Sequence, residues 1–239
     1  MTWLDLPRVP EPEVMDASSE VQAYSSAAAE AYLSRIDDTF VEHALRLIGH
    51  APGWGIDIGC GPGQILMKLA RRLPQWKFIG VDRAPAMIRH ATDAAGSHAA
   101  RKRVSSAAAA RKNVWYVAGN GAALPFNDAS FDLVVCNSVL HHIGDPARFF
   151  SEIRRIAKPE AAILLRDLRR PSRLLFHLHV RWHGRHYGGL MYKLYCDSVH
   201  AAYTVEELSA MLRMAGILGA RLFTLGSTHL GIERPAAAD

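Results

Sequence analysis

Apolar positions along the chain recur in two rhythms, and their alternation predicts a sheet interleaved with helices. "WGIDI" (54–58), "WKFIGVD" (76–82), "NVWYVAG" (113–119), "FDLVVCN" (131–137) and "AAILLRDL" (161–168) are short apolar runs bounded by turn residues. Such runs suit strands buried on both faces of a parallel sheet. Between them lie helical stretches: Gln64 to Leu73, stopped by Pro74, then "APAMIRHATDAA" (84–95) and about 145–157. The order strand, loop, helix, strand, helix begins a doubly wound α/β sheet. Further on, "TVEELSAMLRMAG" (204–216) pairs Thr204 with Glu207 as a capping box and closes on Gly216. "ARLFTLG" and "THLGIER" then predict a closing antiparallel pair.

Three stretches break this rhythm. Residues 1 to about 17, rich in Pro and acid, predict an irregular arm. The next stretch, "SSEVQAYSSAAAEAYLSRIDDTFVEHALRLI", predicts one or two helices from a cap at Ser18 or Ser19. "GSHAARKRVSSAAAARK" (96–112) is basic, low in complexity and poor in large apolar residues, which suits a helix end or a solvated loop. Residues 169–200 hold His, Arg and aromatics in neither period, and are expected to cover the carboxyl edge of the sheet.

The loop "GIDIGCGPGQ" (55–64) raises the first chemical question. Glycine weakens regular structure and is tolerated where the backbone turns tightly or lies against a ligand. A parallel sheet binds ligands beyond the carboxyl ends of its strands, where this loop falls. The dinucleotide fingerprint G-x-G-x-x-G is unmet, because the third glycine position is Gln64. A P-loop is excluded by the absence of its Lys-Ser/Thr ending. What remains is D-x-G-x-G-x-G, led by Asp57.

That spacing resembles motif I of the class I S-adenosylmethionine-dependent methyltransferases. "GNGAALPFNDASFDLVVCNSVLHHIGDP" (119–146) is similar to the family's third and fourth strand region, and "EIRRIAKPEAAILLRDL" to its fourth helix, turn and fifth strand. The likeness spans roughly residues 40 to 167. It implies a Rossmann-like, seven-stranded, mostly parallel sheet with an antiparallel last strand, in three α-β-α layers. The implied organisation is an arm with lid helices over 1–50, and a methyltransferase domain over 51–239 with a cover insertion at about 169–203.

For the cofactor, S-adenosyl-L-methionine (S-adenosyl-L-homocysteine as product), the resemblance implies a site at Asp57, Gly59, Cys60, Gly61 and Gly63. Asp82 would accept from both ribose hydroxyls, a charge-assisted pair of bonds. Arg83 and Met87 would flank the adenine, the methionine by soft sulfur contact. Asn120 replaces the family's usual Asp, followed by Gly121 and Ala122. Asn137 and Leu140 would line the cofactor. The family's "L-K-P-G-G" turn reads "AKPEAA", with Glu160 and Ala161 for the glycines.

Candidate groups for acid–base work are His141, His142, Ser138, His200 in "CDSVHAAYT", and Asp167. One of a His-His pair at a helix start commonly caps or packs. The plain alternative for Asp167 is a salt bridge to Arg166, Arg169 or Arg170. Tyr24 and Tyr32 could close as a lid or simply pack. "FHLHVRWHGRHYGG" (176–189) lacks zinc-ligand spacing, so no metal is expected.

Bulk properties narrow the partners. The 239 residues are 49% hydrophobic and 21% charged, as in ordinary globular chains. No leader pattern and no apolar run of ~18 residues occurs, and three cysteines form no framework, so a cytoplasmic protein is expected. Formal net charge is +5, which permits an anionic partner without requiring one. The segment after strand four reads "NSVL", unlike the "N/D-P-P-Y/F" of enzymes acting on exocyclic base nitrogens. The expected acceptor is therefore a small molecule and not a nucleic acid, with a monomer or homodimer as the working unit. Two other readings stay open: a cofactor-binding or inactive partner protein, and an RNA methyltransferase using the basic residues of 101–112.

Overall fold

Within each central strand, successive side chains fall on opposite faces of one sheet, and each face has its own apolar layer. In Phe131–Asn137, Val134 and Cys136 join one core with Ile56, Ile58, Ile163 and Leu165; Leu133 and Val135 join the other with Ala162 and Leu164. This period of two, read twice, makes the three-layer sandwich.

The computed structural model describes residues 3–11, 18–29, 31–101 and 113–237. Its strands are β1 (Trp54–Ile58), β2 (Lys77–Asp82), β3 (Val114–Ala118), β4 (Phe131–Asn137), β5 (Ala157–Leu168), β6 (Arg221–Leu225) and β7 (His229–Arg234). They form one seven-stranded sheet in the order β3-β2-β1-β4-β5-β7-β6. The pairs among β1 to β5 are parallel, and β7 runs antiparallel to both neighbours. The chain reverses its winding direction between β1 and β4, which opens a crevice at their carboxyl ends.

Helices α1 (Ser18–Ala29) and α2 (Ala31–Leu47) precede the sheet. Phe40, Val41, Ala44 and Leu47 of α2 pack with Ile65, Leu66, Leu69 and Ala70 of α3 (Gln64–Arg72) against one face. Helix α4 (Pro85–Arg101) follows β2, and α5 (Pro146–Ile156) buries Phe149, Phe150, Ile153 and Ile156 against the other face. Asp145 caps α5 by accepting from the Arg148 amide, and Pro146 opens its first turn.

Three details differ from the sequence pattern. Helix α4 continues past residue 95 to Arg101; residues 102–112, with the basic run Lys102 to Lys112, lie outside the described residues. Strand β5 begins at Ala157 instead of after a turn at Lys158-Pro159. A register shift lets it start early: Phe131 pairs Ala157 while Leu133 pairs Ala162. Arg234 fastens this bulge, donating to the carbonyls of Lys158 and Ala161, so the non-glycine turn is held from the last strand. Finally, the stretch without a clear period folds as α6 (Phe176–His183), a short 3-10 turn at Gly184–His186 and α7 (Gly189–Ala201). Helix α8 (Val205–Ala215) then starts from the Thr204–Glu207 capping box.

The arm is irregular over residues 5–11 but fixed. The Val9 amide donates to the His200 carbonyl, and Leu4 accepts from the Arg173 amide. No described helix is long and apolar enough to cross a membrane.

Candidate active site

The loop after β1 answers the question its glycines raise. Gly59, Gly61 and Gly63 all adopt positive φ, at 76°, 50° and 78°. A side chain at Gly59 would also lie 2.3 Å from a methyl of Val139, and one at Gly63 would meet the Tyr116 hydroxyl at 2.4 Å. Gly59 and Cys60 donate their amides to the Val81 carbonyl, at 2.7 and 3.0 Å. The loop therefore lies bare and close against the end of β2.

Asp82, the last residue of β2, completes that clamp. One carboxylate oxygen accepts from the Gly61 amide at 2.8 Å, and the other from the Ala84 amide at 2.9 Å. Asp57 lies beneath the loop, 2% exposed. Burial, reinforced by the nearby Asp82 and Asp37 carboxylates, pushes its carboxyl up to about 8. Burial likewise raises Asp37 to about 6, against the pull of Lys68 and Arg166. Such a cluster of acids gains most from a cationic ligand.

Asp82 and the glycine loop border a cleft of about 260 Å³ at the crevice. Its floor is Ile58, Gly59, Gly61 and Val81; Arg83 and Met87 stand on one side, Asn120, Gly121 and Ala122 on another. Tyr24 of α1 reaches over Gly61. The far wall comes from the chain after β4: Asn137, Ser138, Val139, His142 and Ile143, then Asp145 and Arg148. Ser138 holds φ 57°, a left-handed backbone uncommon for serine. Among the described residues no lysine lines the cleft to match the lysine of a phosphate cradle.

Behind that wall runs a buried polar chain. His141 Nδ1 lies 2.6 Å from Asp167 Oδ1, and the His141 amide donates to Asp167 Oδ2 at 2.9 Å. Burial alone would favour the neutral pair. The charge of Asp167 and its hydrogen bond outweigh that for His141, whose pKa is raised; His141 does the same for Asp167, which is lowered. Glu11 of the arm sets Oε2 3.6 Å from His141 Nε2 and 3.5 Å from His142 Nδ1. Arg8 anchors the arm by donating to the carbonyls of Ala201 and His141, at 2.6 and 2.7 Å. The Glu11, His141 and His142 ligand atoms lie within 4.8 Å of one another, a grouping able to share a proton or hold a cation.

Comparison with known proteins fits this geometry. Residues 56–165 match the family profile described as "Methyltransferase domain". These residues carry a methyltransferase domain. It is 26% identical over 227 residues to a demethylmenaquinone methyltransferase of Deinococcus radiodurans, covering 87% of this chain and 89% of that one. It is 28% identical over 172 residues to a malonyl-[acyl-carrier protein] O-methyltransferase of Hahella chejuensis, covering 71% and 56%. In fold it is similar to a SAM-dependent methyltransferase from Aquifex aeolicus, with TM-score 0.63, 19% identity and coverage of 92% and 98%.

Within this methyltransferase the expected cofactor residues divide into two groups. Gly59, Gly61, Asp82, Arg83, Met87, Asn120, Gly121, Ala122 and Asn137 line the cleft. Asp57, Cys60, Gly63 and Leu140 do not: Gly63 shapes the loop, Cys60 packs its sulfur toward Gly80, and Leu140 sits in the core beside Phe149. Asn120 already accepts from the Ala122 amide, and Asn137 from Arg166 Nε. Of the two tyrosines, Tyr24 lines the cleft, while Tyr32 stacks on His186 at 4.2 Å away from it. Of the histidines, His142 lines it, His141 backs it, and His200 rests against Phe176. Asp167 meets His141 instead of an arginine because Arg166 turns to Asn137, Thr39 and Ile36, and Arg170 to Ala202 and Glu207. Sequence reasoning missed Arg8 and Glu11 altogether, since nothing in an aperiodic arm marks a long-range contact.

Gly59→Ala lowers the free energy of urea unfolding by about 2 kcal/mol or more, from the left-handed backbone and the Val139 overlap. Gly49→Ala, with open space around it, changes it by about 0.5 kcal/mol or less. Asp57 has the opposite pH signature to a paired carboxylate. Its stabilising contribution is complete below about 4 and is lost as pH rises through about 8, because the folded state holds its proton longer. Thermal melts of the ligand-free protein should fall between pH 5 and 8 on the order of several degrees, and Asp57→Asn should flatten that slope.

Proposed function

We propose that this methyltransferase transfers the methyl group of S-adenosylmethionine to a small, partly apolar acceptor that gives up a proton, with His142 taking that proton. The observation that carries the reading is the shared cleft. It has Asp82 and the bare glycine loop on one side and His142, backed by Glu11, on the other. The ribose diol would bond to the Asp82 carboxylate, already aimed by two backbone amides. Asp57 would meet the ammonium end of the donor, directly or through water. Arg83 and Met87 would hold the adenine from one side and Asn120 would accept from its amino group.

The chemistry asks for alignment and a dry site. A nucleophilic atom of the acceptor bonds to the methyl carbon as the carbon–sulfur bond breaks. That bond's electron pair stays on sulfur, neutralising the sulfonium. The acceptor's proton passes to His142, whose ring faces Glu11; His141, fixed by Asp167, positions Glu11 from below. Val139, Ile143 and Ile58 give the cleft an apolar side. The acceptors named for the relatives, demethylmenaquinone and a malonyl thioester carrier, make reduced naphthoquinones and malonyl thioesters the first compounds to test.

Isothermal titration with S-adenosylmethionine should show one site, lost or weakened at least about 100-fold in Asp82→Ala. Retained affinity would remove Asp82 from the site. If Asp57 faces the ammonium, binding at pH 7 releases a proton, seen as a dependence of the binding heat on the buffer's ionisation enthalpy. Asp57→Asn should remove that dependence. S-adenosylhomocysteine release across the acceptor panel should fall about 100-fold or more in kcat for His142→Ala, with donor affinity kept. Full activity in that variant would rule out His142 as the base.

A further inference from the structure

The second large cavity, about 490 Å³, shares no lining residue with the donor cleft. Its inner end is polar: the charged Arg169 and Arg170, the rings of His179 and His183, and Ser172 and Ser227. Its outer end is apolar: Leu175, Leu178 and Trp182.

Three observations require explanation. First, His179 and Arg170 are 8% and 5% exposed, yet His179 Nε2 and Arg170 Nε meet no hydrogen-bond partner. Among the described residues only one other buried side-chain atom, Glu11 Oε2, shares that condition. Buried donors left unmet are costly, and native folds rarely leave them so. The rest of the Arg170 guanidinium is spent on the Ala202 carbonyl and Glu207, so its geometry is fixed.

Second, apart from Glu207 on Arg170, acids are scarce around these groups. Between Asp167 and Asp197 the chain carries no acidic residue, while it carries Arg169, Arg170, Arg173, Arg181, Arg185 and Lys193. Among the described residues no acid lines the cavity. Burial, followed by the charges of His183 and Arg169, pushes His179 down to about 4. The cavity is thus an electropositive place with spare nitrogen atoms.

Third, its rim is apolar and exposed where helices normally hide such residues. Leu175, Leu178 and Trp182 are 56%, 65% and 61% exposed, spaced to share one face of α6, while His179 and Val180 face inward. Leu174 beside them is also exposed, and the Arg185 guanidinium lies over the Trp182 ring at 4.5 Å. Contiguous exposed apolar surface on a folded chain marks a place of contact. Apolar residues with interleaved arginines suit a hydrocarbon chain joined to an anion.

We propose that this cavity binds an acidic amphiphile, its phosphate or carboxylate head on Arg169, Arg170 and His179 and its hydrocarbon chain along Leu175, Leu178 and Trp182. The head satisfies the unmet nitrogens; the chain covers the exposed rim. The site stands apart from the donor cleft and does not depend on how that cleft is read.

The test uses the whole chain and dodecyl phosphate below its micelle concentration, followed by calorimetry. One site is expected. Inorganic phosphate, which lacks the chain, and dodecyl maltoside, which lacks the charge, should each bind at least about tenfold more weakly. Leu178→Ser with Trp182→Ser, on the surface, should weaken dodecyl phosphate at least about tenfold, as should Arg169→Gln with His179→Phe. S-adenosylmethionine binding, unchanged in every variant, reports folding; if the His179 variant fails it, the surface pair decides. Sedimentation with phosphatidylglycerol vesicles, against phosphatidylcholine vesicles, separates a bilayer source from a free amphiphile, and either source supports the site. Equal binding of the neutral detergent, equal binding of inorganic phosphate, or affinity unchanged in the surface pair would overturn it. So would a dimer that forms through this face and disappears in Trp182→Ser while dodecyl phosphate does not bind.

Discussion

The carboxylate of Asp82 governs the geometry of the cleft at the sheet's carboxyl edge. Through Gly61 it pins the glycine loop, and through Ala84 it fixes the turn into α4. Two elements that come from different strands are thereby tied at one point, at the carboxyl edge where the sheet reverses direction. A hydrogen bond from a backbone amide to an ionised carboxylate is among the stronger kinds. It also points the carboxylate. Fixed on two sides by main chain, Asp82 has little freedom left, and a sugar diol reaching it meets an acceptor that is already oriented. The three left-handed glycines are the counterpart of this arrangement: with side chains there, the loop could not lie close enough for Gly61 to reach Asp82.

A second set of buried charges shapes the opposite wall. The Asp167–His141 pair sits at the end of β5, where desolvation opposes ionisation and only close, well-aligned partners overcome it. What the pair does for the cleft is carried by the arm. Glu11 closes over both histidines and Arg8 holds the arm to two carbonyls. The N-terminal arm thus backs the histidines at the end of β4, and that arrangement depends on residues more than a hundred positions apart.

The sheet was legible in the sequence because its signal is local. Each strand announces itself by an apolar run, and the reversal of order follows from strand–helix alternation. The glycine loop and Asp82 were legible for the same reason: their place at the carboxyl end of a strand is a local signal. The rest needed three dimensions. Leu140 follows β4 just as the cleft residues do, yet a short 3-10 turn rotates it into the core and brings His142 out instead. Asp167 has three arginines nearby in sequence, but Arg166 and Arg170 are each drawn to other partners. Helices α6 and α7 gave no clean period because their faces serve two environments, core on one side and an exposed apolar rim on the other. Arg8 and Glu11 left no trace, since an irregular arm carries no periodicity from which its contacts could be read.

The central claim is that Asp82 and the loop it clamps hold the nucleoside of the methyl donor. A crystal structure of the chain with S-adenosylhomocysteine tests it most directly. The account predicts both ribose hydroxyls within hydrogen-bond distance of the Asp82 carboxylate, with the thioether sulfur turned toward His142. Density for the nucleoside elsewhere, or an Asp82 carboxylate rotated away from the sugar, would contradict it.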